Sequence, residues 1–121
     1  MNAADASKVF EALSSTVRLE TFRLLVRHEP TGLVAGEIAT ALGVTPANLS
    51  FHLKTLTHAG LVTVTAEGRF QRYRALLSAV RDLVGFLTDE CCQGHPEQCA
   101  DATATVPCQA ATRVRARVAA R

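Results

Sequence analysis

The sequence has few aromatic residues and no long apolar run. Aromatic side chains make up 5% of its 121 residues, so Leu, Val and Ala must supply most of the core of one small globular domain. No apolar run approaches the roughly 18 residues of a membrane-spanning helix, and the N-terminus lacks the charged-then-apolar pattern of a signal peptide. We therefore expect a cytoplasmic protein without a membrane partner, in which the four cysteines stay reduced.

The motifs of common enzyme classes are missing as well. The chain has no Cys-x-x-Cys pair, no Gly-rich phosphate-binding loop and no metal-hydrolase motif. These absences disfavour a small thiol oxidoreductase, which is the enzyme class that several cysteines would suggest first. We predict that the protein is not an enzyme and needs no catalytic cofactor.

The most informative stretch, residues 44–74, begins with the pattern of an amphipathic helix. Thr45 can cap this helix, Pro46 suits its first position, and Ala59-Gly60 favours its end. Three leucines at spacings of four and three share one of its faces: Leu49, Leu53 and Leu56. The spacing therefore predicts a helix from about residue 46 to residue 58.

The opposite face of this predicted helix is mostly polar. It carries Asn48, Ser50, Phe51, Lys54, Thr55 and His58, with His52 at its margin. Two runs rich in β-branched residues, 61–65 and 69–74, then predict a hairpin with its turn at 66–68. Residues 46–74 carry a net charge of +3, whereas residues 1–99 together carry −1. A donor-rich helix before a basic hairpin suits duplex DNA, although a solvated helix and a surface hairpin have similar compositions.

Four further helices are predicted, and one of them has an unusually broad apolar face. Their approximate ranges are 3–13, 15–28, 34–42 and 76–87. The helix at 34–42 and the one beginning at Pro46, joined by a turn containing Gly43, form a helix-turn-helix. The last helix repeats apolar residues at spacings of four, three and four: Leu76, Val80, Leu83 and Leu87. We expect this face both to cover the core and to meet a second copy of the chain, with the N-terminal helix in the same seam.

Three segments resemble the ArsR/SmtB family of bacterial metalloregulatory repressors. They are residues 11–25 (EALSSTVRLETFRLL), 36–62 (GEIATALGVTPANLSFHLKTLTHAGLV) and 68–76 (GRFQRYRAL), within a resemblance that covers about residues 5–90. It implies a mainly α (α+β) winged helix-turn-helix homodimer with about five helices and a two-stranded β-wing. Such a repressor sits on operator DNA and leaves it when an inducer binds.

Carried over position by position, the resemblance implies two sets of DNA contacts. Residues facing the major groove or its phosphates would be Asn48, Ser50, Phe51, His52 and Lys54. In the wing, Arg69 and Arg72 would contact the DNA backbone or the minor groove. Two alternatives stay open: His52 could instead cap or pack at a helix junction, and Phe51 could cover the groove-side surface or touch a thymine methyl.

The inducer site departs from two patterns known in the family. Residues 36–41 hold no arsenic-sensing cysteine pair, and the sequence around Asp82 lacks the Asp/His set that binds zinc in other members. The cysteines instead lie just beyond the last predicted helix: Cys91, Cys92, Cys99 and Cys108. Gly94 and Pro96 favour a turn that brings Cys99 back towards the adjacent pair.

Three converging thiolates suit a soft ion, and some arsenic repressors of this family carry a C-terminal cysteine cluster. We therefore predict As(III) or Sb(III) as the inducer, bound by Cys91, Cys92 and Cys99. The alternatives are a methylated arsenical held by two thiols, zinc held with the help of His95, and a disulfide switch. Cys108 could also replace Cys99 as the third ligand.

The predicted organisation has three parts. Residues 1–92 form the winged helix-turn-helix domain for DNA binding and dimerisation, and residues 91–108 form the inducer-binding segment. Residues 109–121 form a tail without a steady period, which we expect to be disordered.

Overall fold

Five helices and three strands make up the part of the chain that the computed structural model describes, residues 1–90 and 93. The helices are α1 (Ala3–Leu13), α2 (Thr16–Arg27), α3 (Ala35–Leu42), α4 (Pro46–His58) and α5 (Leu77–Thr88). The strands are β1 (Leu33–Val34), β2 (Val62–Glu67) and β3 (Phe70–Ala75). Every predicted helix is present with both ends within one residue of the prediction, because capping residues and apolar spacing are local signals.

Short-range hydrogen bonds and left-handed glycines define the helix ends, including Gly60 after α4 with a φ of 77°. Asn2 and Asp5 form a reciprocal capping box at the start of α1. At the start of α4, the Thr45 hydroxyl accepts from the backbone N–H of Asn48 at 3.2 Å, as the sequence predicts. Gly43 has a φ of 66°, and this left-handed conformation lets the chain turn tightly from α3 into α4.

The wing belongs to a three-stranded antiparallel sheet with the strand order β1-β3-β2. β2 and β3 pair over their full lengths, so the turn contains only Gly68 and Arg69 and is one residue shorter than predicted. β1 pairs with Tyr73 and Arg72 of β3 and adds a strand to the expected two-stranded wing. A two-residue strand shows no alternation of apolar and polar residues, so no sequence pattern predicts it.

One cluster of buried apolar side chains connects all five helices with the wing strands. Its least exposed large members are Leu25, Ile38, Leu49, Leu53, Leu56 and Leu61. Aliphatic residues dominate this cluster and Phe22 is its one buried aromatic residue among the described positions, as the low aromatic content predicts. The leucine face of α4 is thereby buried, which leaves its other face to point away from the core.

Several apolar side chains on the outer helices are not covered by the core. Phe10 of α1 is 49% exposed, because its neighbours Ala6 and Val9 face the core instead. In α5, Leu83 is the buried residue, whereas Val84 is 39% exposed. The broad apolar face that the sequence predicts for α5 is therefore only partly covered within one chain.

The described helices and sheet up to residue 86 form one compact unit around the core. The other described residues, 87–90 and 93, lie outside this unit. None of the described helices is both long enough and apolar enough to cross a lipid bilayer.

Candidate nucleic-acid interface

The polar face of α4 is accessible along the whole helix. The apolar face is anchored, since Leu49 and Leu53 are each 1% exposed and Leu56 is fully buried. Four of the predicted DNA contacts are exposed on the other side: Asn48, Ser50, Phe51 and Lys54. Amide, hydroxyl and ammonium groups can donate to base edges and phosphate oxygens, so this face has the chemistry that the major groove requires.

His52 differs from these four residues because it is half-buried and packs at a helix junction. Its Nδ1 lies 3.3 Å from Nη1 of Arg18. A guanidinium group can only donate, so this ring nitrogen is the acceptor. The other nitrogens of Arg18 donate to backbone carbonyls at the end of α1, Nε to Ala12 at 2.6 Å and Nη2 to Glu11 at 3.4 Å. Arg18 therefore connects α1 to α4 through His52, a role that no local sequence pattern indicates.

The two predicted wing cations have different surroundings. Arg69 is exposed in the turn, and within the described part of the chain no hydrogen bond or ion pair involves its guanidinium group. Arg72 is only half exposed: its Nε donates to Glu67 at 2.8 Å and its Nη1 donates to the Gly32 carbonyl at 3.2 Å. Arg69 is thus free for a phosphate, whereas Arg72 is engaged within the protein.

A loop between α2 and β1 holds the base of the wing. Arg74 makes a paired contact with the Glu29 carboxylate, at 3.2 Å through Nε and 3.0 Å through Nη2. The hydrogen bond and charge of Glu29 raise the pKa of Arg74. Gly32 lies so close to β3 that a Cβ there would be 2.3 Å from the Tyr73 carbonyl oxygen. The sequence of residues 29–32 predicts a break after the second helix, but no local pattern indicates these contacts, because their partners are about forty residues away along the chain.

The predicted inducer ligands lie outside the described residues. These are Cys91, Cys92 and Cys99, together with the alternatives His95 and Cys108. Within residues 1–90 and 93, no group of three or more His, Cys, Asp or Glu side chains is arranged to hold a metal ion.

Comparisons with known proteins agree with this architecture. A family model described as a helix-turn-helix domain matches residues 13–65. The HTH-type transcriptional regulator CmtR from Mycobacterium tuberculosis H37Rv is 40% identical over 100 residues, which cover 76% of this chain and 82% of the relative. An ArsR-like transcriptional regulator from Rhodococcus sp. RHA1 has a similar structure, with a TM-score of 0.67, 31% identity, and coverage of 80% of this chain and 89% of that chain.

A third similar protein is a homodimeric winged helix-turn-helix DNA-binding domain from Mycobacterium bovis, Mb0332, described as a possible ArsR-family regulator. Its TM-score is 0.59 at 30% identity, over 72% of this chain and 81% of that chain. All three proteins are named as regulators rather than enzymes, as the sequence predicts for this chain. The chain belongs to the ArsR/SmtB family of winged helix-turn-helix transcriptional regulators.

Proposed function

We propose that this regulator binds operator DNA as a homodimer and represses transcription until trivalent arsenic or antimony binds Cys91, Cys92 and Cys99. The observation that carries the proposal is α4, a helix anchored by buried leucines whose exposed face presents amide, hydroxyl and ammonium donors. Donors of these types, on an element narrow enough for the major groove, are what sequence-specific readers of DNA use. The protein acts in the cytoplasm, where operator DNA and reduced thiols are both present.

Dimerisation is supported by the apolar side chains that α1 and α5 leave exposed. Phe10 of α1 is 49% exposed, Val84 of α5 is 39% exposed, and Leu76, immediately before α5, is 37% exposed. Apolar helix faces that one chain covers incompletely favour packing against a second copy. The Mycobacterium bovis protein of similar fold is described as homodimeric. A two-fold dimer would place two α4 helices on half-sites about one DNA turn apart, roughly 34–36 Å.

The inducer part of the proposal depends on the chemistry of sulfur. Arsenous acid can exchange its three hydroxyl groups for three cysteine sulfurs. Each thiol loses its proton, which leaves as water together with one displaced hydroxide. Thiolates are the softest ligands that proteins offer, and they select soft ions over magnesium or calcium. Zinc would need a fourth ligand, and structural zinc sites usually separate their cysteines by two to four residues, whereas Cys91 and Cys92 are adjacent.

The cysteines begin three residues along the chain after Thr88, the last residue of α5, so we expect inducer binding to act on the end of this helix. Two features of the described structure connect the proposed dimer seam to α4. Leu83 of α5 belongs to the same buried cluster as Leu53 of α4, and Arg18 connects the end of α1 to His52. A coupling free energy of about 1–3 kcal/mol between inducer and DNA would weaken operator binding about 5- to 150-fold.

The test uses the full-length protein and a labelled duplex that the protein itself selects from a random-sequence library. Fluorescence anisotropy measures the dissociation constant with and without arsenite. We expect wild-type protein to release the duplex, and the double variant Cys91→Ser/Cys92→Ser to bind DNA normally without releasing it. Cys108→Ser is the matched control and should release the duplex as wild type does.

Two results would overturn the metalloid assignment. One is release of DNA by the Cys91→Ser/Cys92→Ser variant on arsenite addition. The other is release that requires mild peroxide instead of arsenite and is reversed by a dithiol, which would identify a disulfide switch. X-ray absorption of the arsenite-loaded protein then counts the sulfur ligands, since three indicate the proposed site and two indicate a site for a methylated arsenical.

A further inference from the structure

Phe51 is an apolar side chain in the middle of the exposed face of α4. It is 68% exposed, the highest value among the large hydrophobic residues that the structure describes. Helical spacing places it between Asn48, three residues earlier, and Lys54, three residues later. The ring therefore buries little of its own area against the helix, which favours contact with a partner over the covering role that the sequence leaves open for it.

The neighbours of Phe51 can hydrogen-bond to base edges, whereas a phenyl ring cannot. In the major groove, the apolar group among the four standard bases is the C5-methyl of thymine. We propose that Phe51 contacts this methyl group and so selects a T·A pair at one position of each half-site. The inference rests on the DNA binding proposed above and identifies the feature of the duplex that this residue reads.

The ring of Phe51 has one aromatic neighbour in the described part of the chain. It meets the His52 ring edge-on, with the ring centroids 6.2 Å apart and the planes at 79°. His52 is in turn held by Nη1 of Arg18 at 3.3 Å. The Phe51 ring thus has a neighbour on one side that is itself hydrogen-bonded to another helix, while most of the ring stays accessible to a methyl group.

Phe70 provides an internal comparison because it is nearly as exposed, at 63%, but lies in the wing beside Arg69. The wing is expected to contact the DNA backbone or the minor groove. The minor groove presents base acceptors and the guanine amino group and has no methyl group, so Phe70 cannot read thymine there. The two phenylalanines therefore differ in location and not in chemistry.

The experiment replaces thymine by uracil, which removes the methyl group and leaves all base-pairing atoms in place. The duplex is the one selected by wild-type protein from a random-sequence library, resynthesised with uracil at each thymine in turn. Burial of one methyl group is worth about 0.8 kcal/mol, so wild-type binding should weaken about fourfold at the contacted thymine, and about 15-fold when both half-sites are changed. Substitution at the other thymines should have little effect.

Variants assign the effect to Phe51. Phe51→Ala should bind more weakly and give equal affinities for thymine and uracil duplexes, and Phe51→Leu should retain part of the preference. Phe70→Ala is the matched control and should keep the full preference. The thermal midpoint of each variant checks folding, which we expect to be unchanged because both rings are exposed.

Three outcomes would overturn the inference. If wild-type protein binds thymine and uracil duplexes equally at every position, or if Phe51→Ala keeps the preference, Phe51 does not read the methyl group while the proposed DNA binding stands. If the protein selects no duplex at all, the proposed function fails together with this inference.

Discussion

At the residue scale, Gly32 determines how closely the α2–β1 loop approaches the wing. Its φ of 73° favours glycine, and a Cβ would lie 2.3 Å from the Tyr73 carbonyl oxygen and 2.7 Å from Cγ of Arg74. Its carbonyl accepts from Arg72, so the close approach also positions a wing cation. The spacing between loop and wing therefore depends on the absence of one side chain.

We predict that Gly32→Ala lowers the free energy of unfolding by about 2–5 kcal/mol, as measured by urea denaturation. The left-handed conformation contributes about 1–2 kcal/mol, and the steric conflict with β3 contributes the remainder. Gly43→Ala is the matched control, because its φ is 66° but a Cβ there meets nothing within 4 Å. Equal losses for the two variants would contradict the steric argument.

The two wing arginines should give different results in DNA binding. Affinity falls as salt rises, and each phosphate contact contributes about 0.9 to the steepness of log affinity against log salt. A dimer that loses one contact per subunit through Arg69→Gln should therefore have a slope that is smaller in magnitude by about 2. Arg72→Gln should leave the slope nearly unchanged and lower the thermal midpoint, since Arg72 contacts Glu67 and Gly32. Anisotropy titrations at several salt concentrations measure both slopes. A larger slope change for Arg72→Gln would mean that Arg72 leaves its partners to bind DNA.

At the element scale, α4 depends on local capping as well as on its buried leucines. The Thr45 hydroxyl accepts from the Asn48 N–H at 3.2 Å and satisfies one of the unpaired donors of the first turn. Asn48 is itself a predicted DNA contact, so the same turn would serve both stability and recognition.

We predict that Thr45→Ala destabilises the protein by about 1 kcal/mol, which corresponds to a fall in thermal midpoint of about 4–8 °C for a domain of this size. Thr45→Ser should stay near wild type, because its hydroxyl can make the same hydrogen bond. Differential scanning calorimetry measures the shift. If Thr45→Ser loses as much stability as Thr45→Ala, the methyl group and not the cap is responsible.

At the scale of the whole molecule, α1 and α5 both present exposed apolar side chains in the part of the chain that the structure describes. Phe10 lies on α1 and Val84 on α5, and both helices contribute to the same core from the outside. A dimer through these helices would cover them and fix the distance between two α4 helices.

We predict that Phe10→Glu raises the dimer dissociation constant at least about tenfold, because a buried unpaired charge costs more than about 1.4 kcal/mol. Val26→Glu is the control: Val26 is 38% exposed but lies on α2, outside the proposed seam. Sedimentation velocity at several concentrations distinguishes monomer from dimer. A Phe10→Glu protein that remains dimeric while Val26→Glu dissociates would place the seam on α2.

Much of the fold could be predicted from the sequence because its signals are short-range. Thr45, Pro46 and Gly43 mark the ends of helices by their own conformational preferences. β1 could not be predicted, since two residues hold no period and their pairing with β3 spans about forty positions. The same distance explains why the Arg74–Glu29 contact was not anticipated.

For the candidate site, the sequence could identify which residues have the chemistry to contact DNA but not which of them are hydrogen-bonded within the protein. Helical spacing placed Asn48, Phe51 and Lys54 on the face opposite the leucines, and the structure exposes all three. His52 and Arg72 have equally suitable chemistry but are engaged within the protein. Their partners come from other elements, so their engagement has no local signature.

By itself, the sequence determined the helix boundaries, the helix-turn-helix and the amphipathic character of α4, because each depends on residues a few positions apart. Only the tertiary structure decided that Arg18 connects α1 to α4, that Gly32 lets the loop support the wing, and that Arg69 has no ion-pair partner among the described residues. These features depend on side chains brought together from distant positions, and packing of the whole chain sets their distances.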